Sequence, residues 1–291
     1  MGPILTLVPD ALYALQNVFA LDGRVSSYPA NARGFTVSNC YLIKQGDDAV
    51  LLDSGYAAHE RSLLAQIDTL LEPEATLSVY PLRINEYMSV CNVEAIAARF
   101  NVVQCYSGNP DAALWVDFGG RSDAATQGRG KPYTLKTTLV ARKQTLYVGR
   151  DASRAIDAFQ APIRLIGTRW IYDPATRTLF TSDSFSHEWS PSPHGPWDTW
   201  ASDNTTDAAH IRSFLLNTRY WWLEGGDTAS LRRKIAGVIE RYDIENIAPG
   251  YGRVLRGRDL VERQFAMFDE VLAGLDRSAV RARYVDRDEL R

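Results

Sequence analysis

The chain has 291 residues, 32 Lys and Arg against 35 Asp and Glu, a formal charge of -3 and a 45% hydrophobic composition. That suits a globular protein of one large domain or two small ones. It argues against a nucleic-acid binder, which needs a basic excess, and against disorder, given 11% aromatic residues.

Taken in chain order, Met1 to Gln16 carries no basic start of the secretory kind. Met1-Gly2 followed by Thr6 fits a bare myristoylation pattern, but Pro3 is an awkward neighbour and the match reads as chance. Ser38–Lys44, the turn Gln45-Gly46-Asp47-Asp48 and Ala49–Asp53 read as a hairpin. Apolar runs such as Ala49–Leu52 are far short of a membrane span. A helix is expected over Ala58–Leu71, with Leu63, Leu64, Ile67 and Leu71 on one face. Thr76–Leu82 reads as a strand, and Asn92–Phe100 as a short helix capped by Asn92. Thr134–Leu146 alternates as an antiparallel hairpin would. Arg164–Tyr172 and Thr178–Thr181 flank the turn signal Asp173-Pro174. Ser182–Asn204 is irregular and rich in Pro and Trp. Helices are expected over Thr206–Trp222, Thr228–Tyr242 and Asp259–Leu275, with a strand in Ile244–Val254. The three cysteines, Cys40, Cys91 and Cys105, are an odd number without close spacing. They read as reduced thiols in a cytoplasmic protein. Strands interleaved with helices imply a layered α/β domain.

Four segments, in this order, resemble the metallo-β-lactamase fold family. Asn39-Cys40-Tyr41-Leu42-Ile43 through Leu51-Leu52-Asp53-Ser54-Gly55 is similar to its opening hairpin. Leu82 to Asn92 sits where the family carries His-x-His-x-Asp-His. Thr178 to Phe185 resembles the strand that delivers a metal-bridging Asp. Ala248-Pro249-Gly250-Tyr251-Gly252 resembles its Pro-Gly-His-Gly loop. The resemblance implies an αββα sandwich over residues 34–257, with an N-terminal segment, 1–33, packed on it and a C-terminal helix and tail, 258–291.

The resemblance also implies metal ligands, and most are replaced. The first His falls on Ile84, the second ligand on Glu86, the Asp on Met88, the third His on Ser89 and the last His on Tyr251. None of the four histidines, His59, His187, His194 and His210, occupies a motif position. Asp183 is retained. Two carboxylates hold a transition metal weakly where three or four donors are needed, so dinuclear zinc chemistry is not expected. Glu in the second ligand position, and Leu179 to Phe185, resemble the flavodiiron branch of the family.

Three readings of the cleft follow. Glu86, Asp183 and His187, with Tyr251, would suit a single Fe or Mn ion by hardness. Without metal, Arg83, Glu86, Asp183, Arg169 and Tyr251 converge as an acid/base site or as an ion-pair network. In the third, Ile84, Met88 and Tyr251 pack the vacated cavity. Phe185, His187, Trp189, His194, Trp197 and Trp200 form either an aromatic lid, with His187, Trp189, Trp197 and Arg169 touching substrate, or a subunit contact. Cys91 reads as an inert thiol. The functional expectation is an enzyme on a small metabolite, working through Arg83, Glu86, Asp183 and Tyr251. The alternative is a non-catalytic ligand-binding or dimer-scaffold relative. The expected partners are a small molecule and a second copy of the chain, with no nucleic acid and no membrane.

Overall fold

The computed structural model describes residues 1–110, 137–165 and 167–281. Its described strands form two seven-stranded sheets. The first runs in spatial order β1 (Ile4–Val8), β2 (Leu12–Ala20), β3 (Phe35–Gln45), β4 (Asp48–Leu52), β5 (Thr76–Tyr80), β6 (Val102–Ser107) and β7 (Thr137–Leu139). The second begins with β12 (Asp198–Trp200), β14 (Val254–Arg256) and β13 (Asn246–Pro249). It continues through β11 (Thr178–Ser182), β10 (Arg169–Asp173), β9 (Arg154–Gln160) and β8 (Lys143–Val148). The helices are α1 (Glu60–Leu70), α2 (Tyr87–Val90), α3 (Val93–Arg99), α4 (Ala208–Leu216), α5 (Thr228–Arg241) and α6 (Arg258–Leu275). No described helix is long and apolar enough to cross a membrane.

The central strands, such as β3, β4, β10 and β11, read as almost continuous apolar runs because they bury both faces. Alternate residues separate cleanly. Leu12, Ala14, Tyr41, Ile43, Val50 and Leu52 point between the sheets, against Leu146, Ile156, Ile171, Phe180 and Ala248. Tyr13, Leu15, Cys40, Leu42, Ala49 and Leu51 point outward, under Leu63 and Ile67 of α1 and Val93 and Ile96 of α3. On the far side, Trp170, Tyr172 and Leu179 lie under α4, α5 and α6. Helix α6 buries Leu260, Val261, Gln264, Phe265, Phe268, Val271, Leu272 and Leu275, one helical stripe. The result is the expected αββα layering.

Several elements differ from the sequence reading. The middle hairpin is not one. β7 pairs in parallel with β6, while β8 pairs with β9 in the other sheet, so Val140–Arg142 carries the chain from one sheet to the other. Both strands alternate because each has one covered face, which a hairpin would also require. Residues 134–136 and 282–291 of the expected elements lie outside the described residues. The helix expected over Thr206–Trp222 stops at Leu216, and a separate 3-10 turn covers Trp221–Leu223. Ile244–Val254 holds β13 and only the first residue of β14, which runs on to Arg256, with the Gly250-Tyr251-Gly252 loop between them. Asn92 stands at the start of α3 without a side-chain cap. Its amide instead donates to the carbonyls of Ser54 (2.7 Å) and Tyr56 (3.0 Å), pinning the turn after β4. Strands β1 and β2 form one edge of the first sheet, so residues 4–20 are part of the sandwich.

Candidate functional site

The ends of β4, β5, β11 and β13 open at one rim of the sandwich, and the loops that follow them bring the motif positions together. β4 and β5 are parallel, as are β11 and β13, so their carboxyl ends coincide by construction. After β4, Asp53 takes a left-handed φ of 62°, which Asp tolerates better than most residues. Its Oδ1 accepts the backbone N–H of Leu82 at 2.8 Å, locking the β4 and β5 loops to each other. From the other sheet, the Pro249 carbonyl accepts from Tyr41 (2.6 Å) and from Asn39 Nδ2 (3.0 Å), which also donates to the Gly252 carbonyl (2.9 Å). Ser38 bridges to Tyr251. Backbone and side-chain hydrogen bonds thus tie the loops of the rim to one another.

Arg83 occupies its centre. The side chain is 1% exposed. Nη1 donates to Asp183 Oδ1, Nη2 lies 3.7 Å from Asp53 Oδ2 and 2.9 Å from the Met88 sulfur, and the guanidinium lies over the Tyr251 ring at 5.3 Å. A Cβ on Gly250 would stand 3.2 Å from Nη2, so a larger residue would crowd the guanidinium. Arg219, just beyond α4, is a second cation at the rim. Its Nη1 donates to Glu86 Oε1 at 2.6 Å and lies 3.9 Å from Asp183 Oδ2, while Nε donates to Ser26 Oγ. Two guanidinium groups thus stand among three carboxylates.

Burial grades the network. Burial pushes the Asp183 carboxyl above its ordinary value, against the pull of Arg83 and Arg219. Asp53 is raised for the same reason, against Arg83. The Tyr251 phenol, fully buried and hydrogen-bonded to the Tyr56 hydroxyl at 2.7 Å, is pushed far up. Of the charged groups in the network, only the outer pair meets solvent: the Arg219 and Glu86 side chains are 18% and 22% exposed.

Of the residues expected in the site, Arg83, Asp183 and Tyr251 meet directly, and Glu86 joins them through Arg219. Arg169 is outside this network. It lies in β10 and donates from Nη2 to the Gly108 and Val140 carbonyls at 3.3 and 3.2 Å. His187 is buried elsewhere, with Nε2 against Gln264 Oε1 of α6 at 2.9 Å and its carbonyl accepting from His210. Burial holds its imidazole down at about 3. Trp189 donates to the Arg33 carbonyl, and Trp197 is buried with its carbonyl accepting from Val254. Cys91 is half-buried, and burial raises its thiol. Asp53 and Arg219 were not singled out from sequence. Asp53 stands in the Asp-x-Gly segment, which was a usable signal. Arg219 lies 36 residues beyond Asp183 in no motif, and only the fold brings it to the cleft.

No protein-family model matches the chain, and no curated relative does. Solved structures do. The chain is similar to rubredoxin:oxygen oxidoreductase from Desulfovibrio gigas, with a TM-score of 0.66 at 14% identity, over 93% of this chain and 62% of that one. It is similar to the flavodiiron protein of Giardia intestinalis, with a TM-score of 0.63 at 16% identity, over 94% and 60%. A fragment of a putative diflavin flavoprotein from Nostoc gives 0.64 at 16%, over 93% and 95%. The chain therefore spans about three-fifths of the length of the first two.

Iron, which such a likeness implies, needs several convergent N or O donors. The donors here do not fit it. Asp53 and Asp183 face the guanidinium of Arg83, and Ile84, Met88 and Tyr251, which stand where the family resemblance would place ligands, offer no carboxylate or imidazole. Among the described residues no group of three His, Cys, Asp or Glu side chains is placed to hold a metal ion. What the comparisons give the chain is the metallo-β-lactamase-like fold of the flavodiiron proteins.

Proposed function

We propose that this chain is a metal-independent, non-catalytic relative of the flavodiiron-type domain, in which Arg83 serves as the permanent cation of the cleft. The observation that carries this is the full burial of Arg83 between Asp53 and Asp183 with Tyr251 over it. A guanidinium offsets the charge of two carboxylates without a metal, and it cannot be deprotonated to vacate the place. Acid/base work needs a group that can reach substrate. Asp183 and Tyr251 are buried within the network and offer none. The domain then acts as a ligand-binding or scaffold module. The proposed partner is a second copy of the chain, docked through the exposed Trp221 and Trp222 just beyond Arg219. The three thiols are free, which suits the proposed cytoplasmic setting.

One observation favours the enzyme reading: Glu86 and Arg219 still meet solvent at the rim. There Glu86 would be the acid/base group on a small metabolite. Metal analysis of protein purified without chelator, with thermal unfolding in added Fe(II), Mn(II) or Zn(II), tests the main proposal. The expected results are less than about 0.2 equivalents of any of these metals and no stabilisation by them. Stoichiometric, stabilising iron would overturn it. A turnover that Glu86→Gln abolishes in folded protein would establish the enzyme instead.

A further inference from the structure

We infer that the groove between α5 and the β8–β9 edge is a binding site for a small polyanion carrying two or more phosphate groups. Five cations from three stretches of chain line it: Arg142 and Lys143 at the start of β8, Arg164 after β9, and Lys234 and Arg241 on α5. The space between them is about 500 Å³, in the range of small-molecule sites. None of these residues belongs to the Arg83 network.

The charge is poorly compensated. Among the described residues, Arg142, Lys143, Arg164 and Lys234 make no ion pair, and Arg164 spends one N–H on the Ala161 carbonyl at 3.1 Å. Arg241 has one carboxylate, Asp157, at 3.8 Å, and that carboxylate already accepts from Thr145 and from Tyr242. The opposite face of the same helix is different. There Arg232 is paired with Asp269 of α6 through two bonds of 2.7 Å. A chain with a formal charge of -3 thus gathers five cations and a single acid at one groove. Each phosphate group brings about 1.5 to 2 negative charges at neutral pH, so two or three of them match that surplus. Arginines supply the planar fork that phosphate oxygens accept, and lysines supply point charge.

The groove also has a shaped floor. Lys234, Gly237 and Arg241 lie on one face of α5, at i, i+3 and i+7. Gly in a helix interior costs about 1 kcal/mol against Ala. A Cβ at Gly237 would meet nothing within 4 Å, so packing does not demand the glycine. Its effect is to leave the groove open between the two cations.

Titration calorimetry of the whole protein with inorganic tripolyphosphate, at about 50 mM salt, tests the site. The expected result is saturable one-to-one binding. Lys234→Glu should weaken it by about tenfold or more, and Gly237→Leu should weaken it similarly with every charge intact. Gly237→Leu should melt no lower than the parent. Arg233→Glu, the same charge reversal one residue away and outside the groove, should leave affinity within about twofold. Absence of saturable binding up to about 10 mM would overturn the inference. So would unchanged binding by Gly237→Leu, or an equal loss in Arg233→Glu, which would reduce the effect to general attraction. Binding of phosphatidylserine vesicles or oligo-RNA that tripolyphosphate does not displace would also overturn it.

Discussion

The guanidinium of Arg83 lies 5.3 Å from the centre of the Tyr251 ring while Nη1 donates to Asp183. Two residues of the motif segments, one on a loop of each sheet, thus close the cleft on each other. A cation held between a ring face and a carboxylate is favourable when desolvated. Its removal strips Asp53 of its cation and leaves Asp183 only the more distant Arg219.

Arg83→Met should therefore destabilise the fold by about 3–5 kcal/mol, the cost of breaking a buried pair. Adding Asp183→Asn should recover part of that loss, because the stranded charge is then gone. Urea unfolding of the two single variants and the double variant measures the coupling. Strict additivity would contradict the arrangement.

The outer pair should matter less. Glu86 and Arg219 are partly exposed and share a 2.6 Å bond. Glu86→Gln should cost about 1 kcal/mol or less in the same unfolding experiment, since solvent screens the pair. A loss as large as that of Arg83→Met would place Glu86 inside the structural network.

His187 gives a pH dependence. Its folded-state value, about 3, lies below the 6.5 of an unburied imidazole, because burial disfavours the charged ring. The unfolded chain then binds the extra proton. The His187 contribution to stability is complete above pH 6.5 and is lost progressively as pH falls toward 3. The slope approaches about 1.4 kcal/mol per pH unit within that window. His187→Gln should flatten the stability difference between pH 7 and 5, whatever its effect at pH 7. Unfolding curves of both proteins at the two pH values provide the check.

Gly252 ends the loop that carries Tyr251. Its φ is +77°, and a Cβ there would run into the Glu188 carbonyl oxygen. Both the backbone region and the contact oppose a side chain, so Gly252→Ala should destabilise by more than about 2 kcal/mol. Differential scanning calorimetry would show it as a lowered midpoint. A neutral result would mean that the loop can move away from Glu188.

Much of the architecture was legible in the chain itself. The hairpin before Asp53, the strand starting at Thr178 and the Pro249-Gly250-Tyr251-Gly252 loop are local patterns, and local patterns survive in sequence. Where two folds of the chain demand the same alternation, as in β7 and β8, sequence could not separate them. Asn92 shows a related limit: its position at the start of a helix was readable, but its bonding partners, Ser54 and Tyr56, were not.

The sequence by itself determined which residues, Ile84, Met88, Ser89 and Tyr251, stand where the family resemblance would place metal ligands, because such a reading needs only residue identity and local motifs. It also proposed Arg83, Glu86, Asp183, Arg169 and Tyr251 for the cleft, with His187, Trp189 and Trp197 beside them, without saying how they pair. Tertiary structure alone decided that Arg83 sits between Asp53 and Asp183, that Arg219 reaches Glu86, and that His187 turns away to Gln264. It alone decided that Arg142, Arg164 and Lys234 share a groove. Charge pairing acts over a few ångströms in space and is blind to separation along the chain.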